Sequence, residues 1–208
     1  MMALNKRYDP EKLPVLEEFY SIQGEGLNTG KASYFVRTSG CDLGCVWCDS
    51  KETWDWVPEE WTSVEAIVER ILKLGVKSVV VTGGEPLIYD FSKFTEICHQ
   101  HGIKLHLETS GAHELSGEWD WICLSPKPQK QPFPIFYELA NELKVIIFNF
   151  SDFEWAEEAA KKVNPKCELL LQPEWSKFPE SGKWVVDYVK ANQQWRISVQ
   201  THKFLQIP

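Results

Sequence analysis

The chain carries, at residues 33–48, the stretch SYFVRTSGCDLGCVWC, in which a short apolar run leads directly into three closely spaced cysteines. From Ser33 onward, short apolar runs alternate with amphipathic helical patterns, and this alternation indicates β-α units stacked around a mostly parallel sheet. A complete eightfold barrel takes about 250 residues, which is more than the 208 residues of this chain. The sequence therefore predicts an α/β fold, a partial (β/α) barrel of six or seven mostly parallel strands with a reduced helix set.

Strands are predicted where apolar runs are bounded by turn residues, at 33–37, 78–82, 104–108, 121–125, 143–148, 168–172 and 196–200. The first helix is expected to begin at a capping box formed by Thr62 and Glu65 and to end at Gly75. Three further helices are predicted at 90–101, 152–163 and 182–191. Glycine and proline indicate irregular connections at 109–121 and 126–134.

Charge and composition limit the classes of function. Lys and Arg number 22 against 30 Asp and Glu, which gives a formal net charge of -8. Because no stretch concentrates positive charge, a nucleic acid backbone has little to bind, and a small-molecule substrate is expected instead. Residues 1–14 contain no apolar signal segment, and no run reaches the roughly 18 apolar residues of a membrane helix. A single cytoplasmic domain spanning 1–208, with no nucleic acid or membrane partner, is therefore predicted.

Three of the six cysteines, Cys41, Cys45 and Cys48, are crowded into one short segment. No secretion signal precedes them, so metal binding is favoured over disulfide formation. The segment follows the first predicted barrel strand, at the end where β/α folds build their sites. Three thiolates can hold a four-iron cubane and leave one iron open to a cofactor. A structural zinc ion would need a fourth ligand at a customary spacing, which the sequence lacks. Zinc and chance clustering are the alternatives.

The remaining cysteines and the tryptophan-rich stretch have structural interpretations. Three cysteines are expected to be core thiols: Cys98, Cys123 and Cys167. Val46 and Trp47 are expected to cover the cluster with apolar surface. The tryptophan-rich stretch runs through Trp47, Trp54, Trp56 and Trp61. It predicts a cover over apolar surface, with a lid or a subunit contact as the alternative.

The cysteine segment resembles the core motif of the radical S-adenosylmethionine (SAM) superfamily, including the aromatic residue, Trp47, before the last cysteine. A second motif of that superfamily, VTGGEP, follows at 81–86, directly after a predicted strand. Alone, Gly-Gly-Glu-Pro is a common strand-to-helix turn, but after the cysteine motif it strengthens the resemblance. The resemblance implies one 4Fe-4S cluster and SAM as cofactors, with the radical supplied by the cofactor and no acid or base residue required.

Three further features resemble one family of that superfamily, the 7-carboxy-7-deazaguanine synthases. They are FYSIQGEG at 19–26, Arg37 at the end of the first predicted strand, and QTHKFLQIP at 200–208, and the resemblance extends from about Val15 to the last residue. It implies a lyase of queuosine biosynthesis that converts 6-carboxy-5,6,7,8-tetrahydropterin to 7-carboxy-7-deazaguanine with loss of ammonia. It also implies Mg²⁺ as a third cofactor. Residues 1–30 would then be an N-terminal substrate-binding extension, and 200–208 a tail that reaches the active site.

The same resemblance implies a role for each matching residue. The cluster ligands would be Cys41, Cys45 and Cys48, and Ser50, where the family commonly has Thr, would bind Mg²⁺. The pterin would contact Ile22, Gln23, Gly24, Glu25, Arg37, Thr82, His202 and Pro208. SAM would contact Gly84, Glu85, Ser125, Pro126, Lys127, Gln172, Pro173, Glu174 and Trp175, with Glu108, Thr109, Ser110 and Gly111 as weaker candidates.

Structural alternatives exist for several of these residues taken singly. Ser50 and Asp49 could be a helix cap or part of a solvated loop, Arg37 an ion pair at a strand end, and the tail at 200–208 a packing or disordered terminus. The resemblance further implies a homodimer and an electron donor such as flavodoxin or ferredoxin. The competing functions are a glycyl-radical-enzyme activase of the same superfamily and a non-catalytic metal-binding module.

Overall fold

The structure, a computed structural model, describes residues 9–54 and 61–208. The strands in these ranges are β1 (Lys12–Leu13), β2 (Val15–Ile22), β3 (Ala32–Thr38), β4 (Thr62–Ser63), β5 (Ser78–Gly83), β6 (Lys104–Thr109), β7 (Trp121–Leu124), β8 (Glu142–Ile147), β9 (Glu168–Pro173) and β10 (Trp195–Ile197). The helices are α1 (Val64–Lys73), α2 (Ser92–Gln100), α3 (Pro134–Leu139), α4 (Asp152–Ala160), α5 (Phe178–Ala191) and α6 (Thr201–Leu205). Short 3-10 turns lie at Lys51–Trp54, Pro86–Ile88 and Trp175–Lys177.

An 8-stranded sheet forms the centre of the fold, in the order β10-β9-β8-β7-β6-β5-β3-β2. All neighbours from β3 to β10 pair in parallel, and only β2 pairs antiparallel, along β3. The sheet does not close, because β2 and β10 lie at its two ends. The predicted partial barrel is therefore confirmed. A separate 2-stranded sheet joins β1 to β4.

Several element boundaries differ from those predicted. The side chain of Ser63, rather than Thr62, caps α1 by accepting a hydrogen bond of 3.2 Å from the Ala66 amide. Strand β2 was not predicted, because its half-exposed sequence VLEEFYSI lacks a clear alternation of apolar and polar residues. Helix α3 was also not predicted, and α5 begins at Phe178, four residues earlier than expected, so that Gly182 lies inside it.

The core lies between the outer face of the sheet and the helices. One apolar cluster packs α1 and α2 against β3, β5 and β6, and a second packs α3, α4 and α5 against β6 to β9. Along β8, Leu143, Val145 and Ile147 face the second cluster, whereas Lys144 and Ile146 line a cavity on the inner face. The two-residue period of a strand thus separates an apolar outer face from a more polar inner one.

The predicted core thiols are buried, but not all in the same surroundings. Cys98 and Cys167 belong to the two apolar clusters. Cys123 is buried beside Glu142 and Lys144, and burial raises the pKa of its thiol well above the ordinary value. None of the helices in the described part of the chain is long and apolar enough to cross a membrane.

The tryptophan-rich stretch divides between the core and the cavity. Trp61 packs against the first apolar cluster and meets Tyr89 edge-on at 5.3 Å between ring centroids. Trp47 and Trp54 line the cavity instead. Trp56 lies outside the described residues, as do residues 1–8, on which part of the prediction about the N-terminal segment rests.

Candidate active site

A cavity of about 250 Å³ opens at the C-terminal ends of the parallel strands. Its lining includes the predicted cluster ligands, the predicted Mg²⁺ residue and each predicted pterin or SAM residue except Pro126 and the weaker candidate Gly111. Pro126 lines a smaller neighbouring pocket with Trp47 and Trp155. The neighbours of Pro126 in the chain, Ser125 and Lys127, face the main cavity. The structure therefore brings together residues that span the chain from Ile22 to Pro208.

The cysteine segment forms a loop against one wall of this cavity. Cys45 is buried, Cys41 and Cys48 are half-buried, and all are free thiols. Burial raises the pKa of Cys41 and of Cys45. The Ser50 amide donates a hydrogen bond of 3.4 Å to the Cys48 sulfur, the kind of contact that tunes a cluster ligand. Trp47 lines the cavity, as predicted, but Val46 is 73% exposed and gives little cover.

The three thiols fit a cluster in which each sulfur binds its own iron and all face one cavity. Among the described residues, no three His, Cys, Asp or Glu side chains are grouped closely enough to hold a single metal ion. The assignment of a cluster therefore depends on the shared cavity and on the spacing of the thiols along the loop.

The Gly83-Gly84 turn lies directly on the cysteine loop. The Gly84 amide donates to the Thr38 carbonyl at 3.1 Å, and the Glu85 amide donates to the Gly40 carbonyl at 2.9 Å. A β-carbon added at Gly84 would meet the Gly40 oxygen at 2.1 Å, and Gly83 has a φ of +139°. Only glycine fits so close to a neighbouring backbone and in this conformation. The two motifs that are distant in sequence thus form one continuous wall.

Glu85 is buried, and its carboxylate is fully used within the protein. One oxygen accepts from the Leu87 amide at 3.2 Å and the Thr109 hydroxyl at 2.6 Å. The other accepts from the Ser110 amide at 2.8 Å and from the Ser110 hydroxyl. A carboxylate has about four acceptor sites, so the Glu85 side chain braces the strand ends and has no acceptor site left for a ligand. This bracing explains why Thr109 and Ser110 also line the cavity.

The two other segments predicted to contact SAM are held by local hydrogen bonds. The Lys127 ammonium donates to the Ser125 hydroxyl at 2.8 Å and lies 5.7 Å from the centre of the Trp47 ring. Burial lowers the pKa of Lys127, and the nearby Cys45 partly offsets this effect. Glu174 caps the 3-10 turn that follows β9 by accepting from the Ser176 and Lys177 amides. These contacts fix the rim of the cavity before any ligand binds.

The predicted pterin residues meet around Glu108, at the end of β6. The Glu108 carboxylate accepts from the Gln23 side-chain amide at 3.0 Å and from the Thr82 hydroxyl at 3.1 Å. The Gln23 oxygen in turn accepts from the Glu25 amide at 3.0 Å. Sequence reasoning assigned Glu108 to the SAM rim, whereas the structure places it between two predicted pterin residues. The sequence signal that could have placed Glu108 in the cavity was a charged residue on the inward-facing side of a predicted buried strand.

A network of charged and polar groups, which sequence reasoning missed, connects four parts of the site. The Lys144 ammonium on β8 pairs with one oxygen of Glu25. The Gln200 side-chain amide donates to the other oxygen of Glu25 at 2.7 Å and to Asp49 at 2.8 Å. The Lys203 ammonium also binds Asp49, at 2.5 Å. The network therefore joins the barrel interior, the segment before β3, the cysteine loop and the C-terminal residues.

Shifts in pKa follow from these contacts. Burial raises the pKa of Glu25, but the Lys144 charge and the hydrogen bonds from Lys144 and Gln200 together lower it by more, so the net shift is downward. Burial opposes the charge on Lys144, yet the negative groups around it, Glu25 and Glu108 among them, hold its pKa well above the ordinary value. Burial also raises the pKa of Asp49, and hydrogen bonds from Lys203 and Gln200 reverse the sign of the shift. Both carboxylates are thus kept ionised.

The C-terminal segment folds back onto the cavity and is not a loose tail. Both the amide and the hydroxyl of Thr201 donate to the Gly24 carbonyl, at 2.9 and 3.0 Å. The His202 ring lies so close to Gly24 that an added β-carbon would meet its Nδ1 at 2.1 Å. Burial lowers the pKa of His202. The Pro208 carbonyl accepts from the Ser21 hydroxyl at 3.0 Å, so the end of the chain reaches the site.

Arg37 and Ser50 each make a contact within the protein and also line the cavity. Arg37 forms an ion pair with Glu17 at 2.6 Å, the structural alternative, and also lines the cavity. The Ser50 carbonyl accepts from Thr53, as in a turn cap, while the Ser50 residue lines the cavity too. The roles of both residues toward ligands stay predictions.

Comparison with known proteins agrees with this geometry. A family model described as the Radical SAM superfamily matches residues 35–122, the part of the chain that includes the cysteine loop and the Gly83-Gly84 turn. The fold and the site thus define a radical SAM enzyme, whose cofactors are a 4Fe-4S cluster and SAM.

Curated relatives give a narrower assignment. A 7-carboxy-7-deazaguanine synthase from Flavobacterium psychrophilum is 52% identical over 198 residues, 95% of this chain and 94% of the relative. Those from Synechocystis sp. and Escherichia coli K12 are 46% and 32% identical, over 92% and 93% of this chain and 92% and 98% of the relatives. The crystal structure of QueE from Escherichia coli aligns with a TM-score of 0.82 at 29% identity, over 96% of this chain and 98% of that one. The chain belongs to the 7-carboxy-7-deazaguanine synthase family.

Proposed function

We propose that this chain catalyses the SAM-dependent ring contraction of 6-carboxy-5,6,7,8-tetrahydropterin to 7-carboxy-7-deazaguanine, with loss of ammonia, as a lyase of queuosine biosynthesis. One observation carries the proposal. The cysteine loop, the Gly83-Gly84 turn and a carboxylate-rich segment around Glu25 and Glu108 face a single cavity at the barrel mouth. The names of the curated relatives support the same reaction.

The cluster and SAM, when bound, supply the radical that starts the reaction. The protein holds the reactants in line and excludes water. Cys41, Cys45 and Cys48 would bind the irons, and the Gly83-Gly84 backbone would approach SAM without obstruction from a side chain. The loops containing Ser125, Lys127 and residues 172–175 would hold the remainder of SAM.

The pterin end of the cavity offers acceptors that match its chemistry. The amino-pyrimidinone edge of a pterin presents several N–H donors, and ionised Glu25 and Glu108 are pure acceptors. Arg37 and His202 would lie toward the substrate carboxylate, since a guanidinium pairs well with a carboxylate. Ile22, Gln23, Gly24 and Thr82 would complete the contacts, and the terminal carboxylate of Pro208 would close the site.

Mg²⁺ would bind between the Ser50 hydroxyl and substrate oxygens. The ion prefers hard oxygen ligands and keeps several waters, so one protein hydroxyl is sufficient. Ser50 lines the cavity, which supports this placement. Replacing Ser50 by Ala should raise the Mg²⁺ concentration needed for half-maximal turnover, and an unchanged Mg²⁺ dependence would remove Ser50 from the metal site.

The proposal includes an electron donor, a homodimer and a cytoplasmic location. A small electron carrier such as flavodoxin or ferredoxin would reduce the cluster, and the reducing cytoplasm would keep its thiol ligands available. Exposed apolar side chains on α5 and α6, among them Val186, Phe204 and Leu205, support contact with a second copy. Sedimentation of the reconstituted enzyme as a monomer at micromolar concentration would exclude the dimer.

The domain organisation is also part of the proposal. Residues 1–208 would form one radical SAM domain, in which 1–30 extend it toward the substrate and 200–208 close the site. Contacts of Gly24 with Thr201 and of Ser21 with Pro208 support this arrangement.

The decisive experiment is anaerobic incubation of the reconstituted protein with SAM, Mg²⁺, a strong reductant and 6-carboxy-5,6,7,8-tetrahydropterin. We expect 7-carboxy-7-deazaguanine to form, as identified by mass, and any SAM that is cleaved to give 5'-deoxyadenosine and methionine in equal amounts. If the protein cleaves SAM but leaves the pterin unchanged, its assignment to the radical SAM superfamily would stand and the proposed substrate would be wrong.

A further inference from the structure

We propose that Lys144 is a positioning residue for the pterin, which acts by holding Glu25 ionised and oriented as a hydrogen-bond acceptor. This inference rests on the proposed function, since it assigns Glu25 to the substrate. Lys144 was not singled out by any motif in the sequence, and its assignment comes from its place in the fold.

Lys144 occupies an unusual position for a lysine. It lies in the middle of β8, on the inner face of the barrel, and its side chain is only 6% exposed. Lysine is almost never fully buried unless it is paired. The alternating residues of the same strand, Leu143 and Val145, pack into the apolar core on the opposite face. The charge of Lys144 is therefore directed into the cavity, away from both solvent and core.

The pairing of Lys144 and Glu25 uses both oxygens of the Glu25 carboxylate in different ways. The Lys144 ammonium binds one oxygen, and the Gln200 side chain donates to the other at 2.7 Å. A carboxylate fixed by one donor on each oxygen has its rotation about the final bond restricted. Each oxygen retains acceptor capacity, and Glu25 lines the cavity. The two contacts thus leave acceptor sites that face a ligand.

The ionised state of Glu25 depends on Lys144. Burial alone raises the pKa of Glu25, the nearby Asp49 raises it further, and Lys144 makes the largest contribution in the opposite direction. The other charged or titratable groups in the described part of this region include Glu108, Cys123, Lys127, His202 and Lys203. Glu108 disfavours a second negative charge, whereas Lys127 and Lys203 are positive but do not bind the Glu25 carboxylate as Lys144 does. Removing the Lys144 charge would therefore favour the protonated form of Glu25.

Protonation would reverse part of the recognition. A protonated carboxyl group carries an O–H donor, which would point at N–H donors on the pterin edge instead of accepting from them. A mismatch of this kind leaves buried polar groups unpaired in the complex, and this strongly weakens binding of the ligand. Lys144 thereby acts on the substrate through Glu25, without needing to touch the reacting atoms.

The test compares Lys144→Met, which keeps the length of the side chain, with Lys144→Arg, which keeps the charge. For Lys144→Met at neutral pH, kcat/KM for the pterin should fall at least about tenfold, the factor associated with one charge-assisted hydrogen bond. Most of the change should appear in KM. Lys144→Arg should recover most of the loss. Lys104 is exposed at the first residue of β6, at the end of the strand that lies away from the cavity. The matched control Lys104→Met should therefore behave as wild type.

A binding measurement separates positioning from a purely structural effect. Calorimetric titration of each reconstituted variant with 6-carboxypterin, a non-reacting pterin, reports affinity without turnover. For Lys144→Met, raising the pH should narrow the affinity gap to wild type measured at the same pH, because Glu25 ionises again. The double variant Lys144→Met/Glu25→Gln should bind no more weakly than Glu25→Gln alone and should show no recovery at high pH.

The outcomes distinguish this inference from the proposed function. If wild type binds and turns over the pterin but Lys144→Met matches it at neutral pH, the inference is wrong and the function stands. A Lys144→Met defect that is independent of pH, or that adds to the Glu25→Gln defect, would also overturn it. If wild type shows neither binding nor turnover of the pterin, the proposed function fails first.

Discussion

The close contact between the Gly83-Gly84 turn and the cysteine loop makes Gly84→Ala the most stringent test of the site geometry. A β-carbon at this position would lie 2.1 Å from the Gly40 oxygen, 2.7 Å from the Gly40 carbonyl carbon and 2.9 Å from the Cys41 β-carbon. Ordinary contacts between carbon and oxygen begin at about 3.3 Å. Two of the three obstructing atoms are backbone atoms, so the cysteine loop itself has to move by roughly 1 Å.

The displaced loop carries the first cluster ligand. A misplacement of about 1 Å in an active site can cost roughly 100-fold in rate, so we expect kcat/KM of Gly84→Ala to fall by about that factor. Anaerobic product formation measured by mass spectrometry gives the rate, and iron analysis shows whether the cluster still assembles. Gly182→Ala is the matched control, because its β-carbon would meet nothing closer than 3.8 Å inside α5. It should retain activity and raise the melting temperature slightly, since alanine favours helix. Wild-type turnover by Gly84→Ala would refute the reasoning.

Three further predictions follow from the same geometry. Cys45→Ala should lose bound iron and sulfide and all turnover, while its far-ultraviolet circular dichroism stays that of the folded protein, because the two apolar clusters of the described residues contain no residue of the cysteine loop. Adding one residue after Pro208 should reduce turnover at least about tenfold, since it displaces the terminal carboxylate from its place beside Ser21 and removes a charge-assisted contact. Asp120→Ala should lower the free energy of unfolding at pH 7, and the difference from wild type should shrink below about pH 4. Burial raises the pKa of Asp120, but the Leu105 amide and His99 lower it more, so its stabilising contribution is lost as the pH falls.

Each of these predictions has a contrary outcome. Stoichiometric iron in Cys45→Ala would remove that residue from the ligand set. Full activity of the extended chain would show that the terminal carboxylate has no role in the site. A constant difference in urea-denaturation free energy across the acid range would show that ionisation of Asp120 does not contribute to stability.

The parallel strands and the location of the site were predictable because both leave periodic signals. Apolar runs such as Val79-Val80-Val81 mark strands covered on both faces, and ligands of a β/α fold collect where such strands end. Cys41, Gly84, Ser125 and Gln172 each follow or end a predicted strand, so their convergence at one cavity followed from topology. Their roles toward ligands, by contrast, came from the family resemblance.

The Lys144–Glu25 pair, strand β2 and helix α6 could not be predicted, because they depend on contacts between residues that are distant in the sequence. Lys144 and Glu25 are separated by 119 positions, and neither belongs to a local pattern that indicates the other. Strand β2 pairs antiparallel at the edge of the sheet, where half-exposed residues carry no clear period. Helix α6 has only 5 residues, and an isolated helix of that length is not stable without tertiary contacts.

The charges on the inner face of the barrel are better explained by ligand binding than by stability. Burying an ion pair such as Lys144 and Glu25 costs a desolvation free energy that often exceeds the attraction between the two charges. Replacing such a pair by apolar residues of similar volume frequently leaves the protein equally stable. The helix-facing side of β8 meets that expectation, since Leu143, Val145 and Ile147 are entirely apolar. Strand β8 buries hydrocarbon on one face and Lys144 on the other, and it therefore separates the stability of the fold from the binding of the substrate. Its outer face stabilises the fold, and its inner face keeps carboxylates charged for a polar substrate.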